Sequence, residues 1–394
     1  MSGPDGTDQP LRIAHVIDYF HTDVGYQEYY LAKCMAEAGH RVRVVTSHLR
    51  QHTVAEAGPD EAAGADALTR AGVEVVRLPA RQLGHDRAWL HGLERALDEF
   101  RPDAVHCHGA FAPTTVRVAR HKARLRYRLL VDNHIQRFIA PGASTLQGRV
   151  AYGAYRTLAG RLLRRSVDHW VAIGPYEGEF LADLLGLTAG EVELVPLGFD
   201  PAVFGPDEAG GRAERDRRGW DDDLVVAVTG KIHRRKRPDL VAAACATVAR
   251  DRPVRLVVAG TVDGESRRAV ERAAGPLTAA GRVEFLPMLG RHDLSDLYRA
   301  ADVVVFARLP SISIYEAAGT GARVLVGRDE FAEWLAGMDP AVVPVEPEDL
   351  APHLARPHDR TADADAAARV FAWGTLGERF VARYRGRDGA GSGE

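Results

Sequence analysis

The chain has 394 residues, enough for two domains of ordinary size, and its 46% hydrophobic and 27% charged residues are typical of a globular protein. A formal net charge of -3 and a pI near 6.6 argue against a nucleic-acid-binding protein, which would carry an excess of basic residues. Three scattered cysteines form neither a disulfide framework nor a metal-ligand pattern. Because no signal-peptide pattern and no apolar run of about 20 residues is present, we expect a cytoplasmic protein without an integral membrane segment.

The first half of the chain alternates short β-branched runs with helical patterns, which is typical of a parallel sheet. A strand over 12–17 is followed by a loop with Gly25, where the missing side chain would allow close backbone approach to a ligand, and by a helix that ends at Gly39. The remaining predictions in this part are a mobile connection with some helix over 51–72, a helix over 89–100, and strands over 42–46, 73–78 and 104–108.

Two histidines end the strand over 104–108. Since alternate residues of a strand share one face, His106 and His108 lie side by side and are potential metal ligands. A zinc site needs a third and a fourth ligand, and the neighbouring sequence offers none, so we predict no metal. His134 follows the next strand, 129–132, where it either faces a ligand crevice or caps a loop.

A basic helix is predicted over 148–165. Its arginines are Arg149, Arg156, Arg161, Arg164 and Arg165. Such a helix suits contact with an anionic membrane or an anionic acceptor, and equally a solvated surface. The lack of a strong apolar side favours the solvated surface, so peripheral membrane contact is not the preferred interpretation.

The polar, charged segment 206–222 is predicted to be an interdomain linker, and a strand over 224–229 opens the second half. That strand ends at Gly230 and is followed by a dense basic cluster. Its members are Lys231, His233, Arg234, Arg235, Lys236 and Arg237. At the carboxyl end of a central parallel strand, such cations face the ligand crevice and suit a diphosphate.

The segment 302–326 reads as strand, loop, helix and strand, with the helix beginning near Ile314. The backbone amides of Ile312, Ser313 and Ile314 would then lie at the positive end of the helix dipole. Glu316 in the same turn could accept hydrogen bonds from a ribose diol. This combination favours a nucleotide site. Neither half carries the G-x-G-x-x-G pattern of dinucleotide-dependent dehydrogenases after its first strand.

Taken in order, these segments resemble the family 4 (group 1) retaining glycosyltransferases of the GT-B fold over almost the whole chain. Glu316 matches the second glutamate of that family's nucleotide-sugar signature, whereas Arg308 stands where the first is usual. Lys231 and Lys236 match the family's diphosphate-binding Arg and Lys. Gly25 matches one of two usual loop glycines.

The resemblance implies an α/β fold of two Rossmann-like domains whose parallel sheets face each other across a cleft. Residues 11–205 would bind the acceptor and residues 223–368 the donor. A closing helix over 369–385 would cross back to the first domain, and a flexible tail would follow over 386–394. The implied enzyme moves a hexose-type sugar from a nucleoside diphosphate sugar, with UDP the first choice, to a hydroxyl or amine acceptor such as a small hydrophilic metabolite. It would need neither a metal nor another cofactor.

The resemblance also assigns roles to single residues. His134 would orient the sugar, while Lys231 and Lys236 would stabilise the departing diphosphate. His108 would lie on the acceptor side. Donor-binding positions would be Gly25, Gly230, Met288, Arg308, Ser313, Ile314 and Glu316. Because Arg308 replaces a carboxylate, two alternatives stay open: a catalytically altered homologue, such as an epimerase or a non-glycosidic coupling enzyme, and a nucleotide-sugar-binding module without transferase activity. The oligomeric state also stays open.

Overall fold

The structure is a computed structural model that describes residues 9–22, 26–50, 61–83, 87–137, 145–220, 222–308 and 311–386. Contacts between α-carbons divide the chain into two compact units. Unit 1 comprises residues 1–196 and 376–394, and unit 2 comprises residues 197–375. Each unit is built around a parallel β-sheet.

Unit 1 contains, in its described residues, a seven-stranded parallel sheet and a two-stranded antiparallel hairpin. The strands are β1 (Arg12–Val16), β2 (Arg41–Ser47), β3 (Glu74–Leu78), β4 (Ala80–Leu83), β5 (Arg87–Leu90), β6 (Ala104–His108), β7 (Arg128–Asn133), β8 (His169–Ala172) and β9 (Val192–Leu194). The sheet order is β3-β2-β1-β6-β7-β8-β9, and β4 pairs with β5. Central strands such as β6 are buried along almost their whole length, as expected where helices cover both faces of a sheet.

The helices of unit 1 connect these strands as crossovers. They are α1 (Gln27–Glu37), α2 (Glu61–Ala71), α3 (Leu93–Phe100), α4 (Pro113–Leu125), α5 (Leu146–Leu158), α6 (Gly160–Ser166) and α7 (Pro175–Leu185). Proline occupies the first turn of α4 and of α7, where its missing N–H costs no hydrogen bond. Aliphatic and aromatic side chains from α3 to α7 and from the strands form a continuous core cluster.

Unit 2 repeats the plan with a six-stranded parallel sheet in its described residues. The strands are β10 (Leu224–Thr229), β11 (Val254–Ala259), β12 (Val283–Leu286), β13 (Val303–Phe306), β14 (Arg323–Gly327) and β15 (Val342–Val345). Their order is β12-β11-β10-β13-β14-β15. The valine-rich strands β10 and β13 are fully buried, because they occupy the centre of the sheet.

The helices of unit 2 include several with a carboxylate cap. They are α8 (Pro201–Phe204), α9 (Glu208–Arg218), α10 (Pro238–Val248), α11 (Gly264–Ala274), α12 (Pro276–Ala279), α13 (Arg291–Ala300), α14 (Ser313–Gly319), α15 (Glu330–Ala336), α16 (Ala351–Leu354) and α17 (Arg360–Phe371). At α11, for example, the Asp263 side chain accepts from the amide of Ser266 at 2.7 Å. The last helix, α18 (Trp373–Tyr384), begins in unit 2 and continues in unit 1. No helix of the described residues has both the length and the apolarity needed to span a membrane.

The prediction of two Rossmann-like domains with parallel sheets is confirmed, but three local predictions differ from the structure. Residues 87–90 pair with β4 as a strand, so the helix predicted from residue 89 begins only at Leu93. The helix predicted over 148–165 is two helices that meet at Ala159. The segment 206–222, predicted as a linker, contains α9, which Arg215 ties to unit 2 by donating to the Ala300 carbonyl at 2.8 Å. Tertiary contacts order a sequence whose composition resembles that of a loop.

Candidate active site

Both sheets have a point where adjacent central strands lead the chain in opposite directions. These points lie between β1 and β6 in unit 1 and between β10 and β13 in unit 2. In open parallel sheets, ligands bind outside the carboxyl ends of the strands at such points. The predicted site residues follow these strands or their neighbours. We call His15, His106, His108, Asp132 and His134 the unit 1 site, and Gly230, Lys231, Lys236, Ser313 and Glu316 the unit 2 site.

Strand register assembles the unit 1 site. His15 is level with His106 on the neighbouring strand, and His108 is level with Asp132. The His108 ring bridges two partners, since its Nδ1 lies 2.7 Å from Asp132 Oδ2 and its Nε2 lies 2.9 Å from His15 Nδ1. The same carboxylate oxygen lies 3.1 Å from His106 Nε2 and 3.3 Å from His134 Nε2. One buried carboxylate therefore organises three histidines.

Two further groups close this network. Gln27 of α1 donates to Asp132 Oδ2 at 3.1 Å, and the hydroxyl of Tyr384 in α18 lies 2.8 Å from His106 Nδ1. Gln27 and Tyr384 are themselves buried. Buried polar groups of this kind need hydrogen-bond partners inside the protein. Residues far apart in the sequence thus fix the orientation of the imidazole rings.

The fraction of the side chain that is exposed distinguishes His134 from the other members of the unit 1 site. The His134 side chain is 33% exposed, whereas those of His106 and Asp132 are 0% and that of His108 is 2% exposed. The His108 ring is buried and contacts Asp132, so the prediction that His108 lies on the acceptor side stays a prediction. His134 is the member of this site that reaches solvent.

The protonation states follow from the same contacts. Burial alone would raise the pKa of Asp132, but His108, His134 and His106 hold it well below its usual range. Burial disfavours the imidazolium of His134, yet Asp132, with help from Glu28 and Glu177, raises its pKa to about 9. Burial lowers the pKa of His106 to about 4. Near neutral pH the site therefore presents a cationic imidazole at His134, held by a buried carboxylate.

The structure also corrects the reason given for excluding a metal. His15, His106 and His108 place ligand atoms within 4.8 Å of one another, and so do His108, Asp132 and His134. A third ligand is therefore near in space, although none is near in the sequence. Both ring nitrogens of His108 are engaged in hydrogen bonds, to Asp132 and to His15. The absence of a metal stays a prediction.

In the unit 2 site, glycines allow a lysine to fold over the end of β10. Gly230 has φ +105°, and the Lys236 ammonium nitrogen lies 3.2 Å from where a Cβ at Gly230 would stand. Gly260 has φ +130°, and a Cβ there would lie 2.0 Å from the Gly230 carbonyl oxygen. Burial lowers the pKa of Lys236, and no carboxylate among the described residues forms an ion pair with its ammonium. The described residues therefore leave the Lys236 ammonium without an anionic partner.

Glu316 lies in the first turn of α14, beyond the end of β13. Burial raises its pKa to about 7, against a hydrogen bond from Ser313 and the positive charge of Arg291. The Tyr298 hydroxyl, 2.8 Å from the Thr229 hydroxyl, contributes to this polar group between β10 and β13. A carboxyl group in this state can accept or donate a hydrogen bond near neutral pH.

Two of the three helix amides predicted to face a ligand have partners within the protein. The amide of Ile314 donates to the Ser311 carbonyl at 3.1 Å, and that of Ser313 to the Ser311 hydroxyl at 3.4 Å. The Ile314 side chain is fully buried. These two contacts with Ser311 therefore reduce what this helix end can offer to a phosphate.

The remaining predicted residues are more peripheral. Lys231 and Met288 are exposed, and Met288 is the second residue after β12. Arg308 is exposed just after β13, and its Nη2 lies 3.5 Å from Glu348 Oε1. Gly25 lies outside the described residues.

Sequence reasoning missed four members of the unit 1 network: Asp132, His15, Gln27 and Tyr384. One signal was available for Asp132, because a carboxylate at the end of an apolar strand needs a partner inside the protein. The other three depend on strand register and on where α1 and α18 pack, and these are tertiary properties.

The two parallel-sheet domains with a site at each switch point define the GT-B class of fold. Two family models match the chain. "Glycosyl transferase 4-like domain" matches residues 25–198, and "Glycosyl transferases group 1" matches residues 223–358. Together they cover well over half of the 394 residues. The chain belongs to the family 4 (group 1) glycosyltransferases.

Two curated relatives share one name. The chain is 32% identical over 256 residues to a D-inositol 3-phosphate glycosyltransferase of Streptosporangium roseum, covering 59% of this chain and 58% of the relative. It is 29% identical over 262 residues to the protein of that name from Mycobacterium tuberculosis strain F11, covering 58% and 51%. The chain thus spans between half and three fifths of the length of these two relatives.

Solved structures share the fold at low sequence identity. The HepE protein of Anabaena, in complex with UDP, aligns with a TM-score of 0.67 at 16% identity, over 95% of this chain and 100% of that chain. The HepE complex with UDP-glucose aligns with a TM-score of 0.62 at 17% identity and the same coverage. These similarities establish the architecture.

Proposed function

We propose that the protein is a retaining glycosyltransferase that moves a hexose-type sugar from a nucleoside diphosphate sugar, UDP in the first place, to a hydroxyl or amine of a small hydrophilic acceptor. The observation that carries the proposal is that the segments following β10 and β13, at the switch point of unit 2, carry the Lys236 ammonium and the Glu316 carboxyl group. A cation without a carboxylate partner suits a diphosphate, and a carboxyl group suits the ribose diol.

The unit 1 site supports the same chemistry. His134 presents an imidazolium, which can donate a hydrogen bond to a sugar oxygen and favours negative charge nearby. Its orientation is fixed in advance, because the buried carboxylate of Asp132 holds the ring and further hydrogen bonds hold Asp132. Preorganised charge of this kind stabilises charge that develops on a departing group.

The names of the relatives support a small hydrophilic acceptor, since they specify a glycosyltransferase acting on D-inositol 3-phosphate. A phosphorylated polyol is therefore the first acceptor to test. The UDP complexes of HepE support a nucleotide-sugar donor. Residues of the chain itself supply every group that this proposal uses, so we expect transfer without a divalent metal.

The test combines donors and acceptors in one panel. UDP-, GDP-, ADP- and dTDP-sugars are incubated with inositol phosphates, free polyols and amino sugars, with and without EDTA, and free nucleoside diphosphate and product are measured. We expect acceptor-dependent release of UDP that EDTA does not reduce, with the anomeric configuration retained in the product. Conversion of the donor to another sugar without acceptor would identify an epimerase, and binding without turnover would identify a binding module.

A further inference from the structure

Helix α5 exposes large apolar side chains to solvent. Leu146, Val150 and Leu158 are 77%, 64% and 83% exposed, and they account for half of the large hydrophobic residues exposed among the described residues. They are spaced by four or eight residues, so they lie along one side of the helix together with the exposed Ala154. We call these four residues the apolar stripe.

The opposite side of α5 is fixed against unit 1. The Tyr155 hydroxyl donates to the Ala110 carbonyl at 2.6 Å, and the rings of Tyr152 and Tyr155 lie 6.0 and 5.9 Å from that of Phe111. These aromatic contacts leave the apolar stripe facing outward. Packing of the opposite side of α5 thus determines that the stripe is exposed. The composition of the helix by itself does not indicate this.

The segment of the sequence that carries the stripe contains positive charges only. Residues 133–167 contain six arginines and no aspartate or glutamate, in a chain whose net charge is -3. Five of them are exposed and make no ion pair with the described residues. They are Arg149, Arg156, Arg161, Arg164 and Arg165. A solvated helix surface explains arginines, but it does not explain three exposed large apolar side chains beside them.

A pocket of about 400 Å³ flanks the stripe between α5 and α7. Arg137, Arg149, Arg156, Tyr152, Phe180 and Asp183 are among its lining residues. Arg137 pairs with Asp183 and lies 5.8 Å from the Phe180 ring centre, so Arg149 and Arg156 supply the uncompensated charge. A pocket with two such guanidinium groups suits a phosphate monoanion or diester.

We propose that α5 docks unit 1 onto an anionic phospholipid bilayer. The apolar stripe enters the boundary of the acyl layer, while Arg149 and Arg156 bind a headgroup phosphate in the pocket and Arg161, Arg164 and Arg165 contact neighbouring headgroups. A second copy of this chain is a poorer occupant, because a two-fold contact would bring two such basic surfaces together. The helix lies on the bilayer, which fits its length of 13 residues.

The experiment is flotation of the purified protein with vesicles of phosphatidylcholine and phosphatidylglycerol in equal amounts, and with vesicles of phosphatidylcholine alone. We expect binding to the anionic vesicles only, and weaker binding as salt rises. The variant R149S/R156S should bind about fivefold more weakly for each arginine removed. The variant L146S/V150S/L158S should bind about tenfold more weakly or worse.

Matched controls separate docking from general damage. L146M/V150I/L158M keeps the stripe apolar and should bind like the parent protein. R120S/R212S removes two exposed arginines elsewhere and should also bind like the parent. Donor turnover with a soluble acceptor should be unchanged in all four variants, which separates this proposal from the proposed function.

Equal binding to both vesicle types would overturn the proposal. So would parent-like vesicle binding by the serine variant, or a parent dimer in sedimentation that this variant loses.

Discussion

The two candidate sites handle buried charge in opposite ways. In the unit 1 site, the protein supplies both signs: Asp132 is buried, and three histidines and Gln27 surround its carboxylate. In the unit 2 site, burial lowers the pKa of Lys236 and raises that of Glu316. Burial therefore disfavours the charged form of each group. In the first site the protein itself supplies opposite charges for the buried carboxylate, whereas in the second site it supplies no carboxylate partner for Lys236 among the described residues.

This difference indicates how the proposed reaction divides between the units. A complete network fixes the position of one exposed imidazolium, which is what a group that orients a sugar needs. The unit 2 site is stabilised only when a ligand supplies the missing opposite charge. We therefore expect part of the binding energy of a nucleoside diphosphate to come from pairing its phosphates with the partly buried Lys236 ammonium. Changes in unit 1 should therefore affect stability first, and changes in unit 2 should affect ligand affinity first.

The largest expected effect comes from Asp132→Asn. Removing the charge at the centre of a buried ionic network should lower the free energy of unfolding by about 3 to 5 kcal/mol. Urea denaturation followed by circular dichroism measures it. Asp98→Asn is the matched control, because Asp98 makes a more exposed pair with His121 at 3.1 Å and should cost about 1 kcal/mol or less. Equal losses in the two variants would contradict a self-compensated unit 1 site.

The second prediction is a pH dependence of stability that comes from His134. Its pKa is raised from the ordinary 6.5 to about 9 in the folded protein. The stabilisation is therefore fully present below pH 6.5 and is lost as the pH rises to 9, by up to about 3 kcal/mol. Urea denaturation across this range should show the loss in the parent protein.

His134→Asn tests this assignment, because the variant lacks the titrating ring. Glu316 titrates in both proteins, so the difference between the two pH profiles isolates His134. Nuclear magnetic resonance of the histidine ring protons gives the pKa directly. Parallel profiles for parent and variant would show that His134 is not the ion held by Asp132.

The third prediction moves to unit 2. Lys236→Ala should weaken UDP binding by about 1.5 to 3 kcal/mol, the range for a hydrogen bond to a charged group. The free energy of unfolding should stay the same or rise, because the change removes a partly buried ammonium without a carboxylate partner. Calorimetry with UDP and urea denaturation measure the two quantities.

Arg235→Ala is the control, since Arg235 lies in the same short helical turn and is exposed. It should change UDP affinity by less than about 1 kcal/mol, as expected for a screened surface charge. The same loss of affinity in both variants would mean that the basic cluster acts only through its summed charge.

The smallest effect is expected for Arg308→Glu. The exposed ion pair of Arg308 with Glu348 contributes little stability, about 1 kcal/mol or less. A guanidinium only donates hydrogen bonds, so the parent protein should prefer a donor sugar that carries an acceptor or an anionic group, and the variant should shift toward plain hexoses. Relative kcat/KM for UDP-glucuronate and UDP-glucose measures this preference, with Glu348→Gln as a control that keeps Arg308. If UDP-glucose is the best donor for both proteins, Arg308 has no part in donor choice.

The sequence by itself determined the architecture, because the alternation of buried strands with helices is written in local periodicity. It also located the ends of β10 and β13, which Lys236 and Glu316 follow by seven and ten residues. Such residues are found from the sequence because strand ends and helix starts are local signals. The same logic failed for residues 87–90 and for α9, where pairing and packing with distant segments overrode local composition.

Tertiary structure alone decided which side chains of unit 1 meet. The level pairing of His15 with His106 and of His108 with Asp132 depends on strand register, and Tyr384 reaches His106 from 278 residues away. It also decided which side of α5 faces solvent, because aromatic contacts with Phe111 turn the apolar stripe outward. Periodicity describes each element by itself, whereas register, burial and charge compensation are properties of several elements together, and these set the pKa of His134.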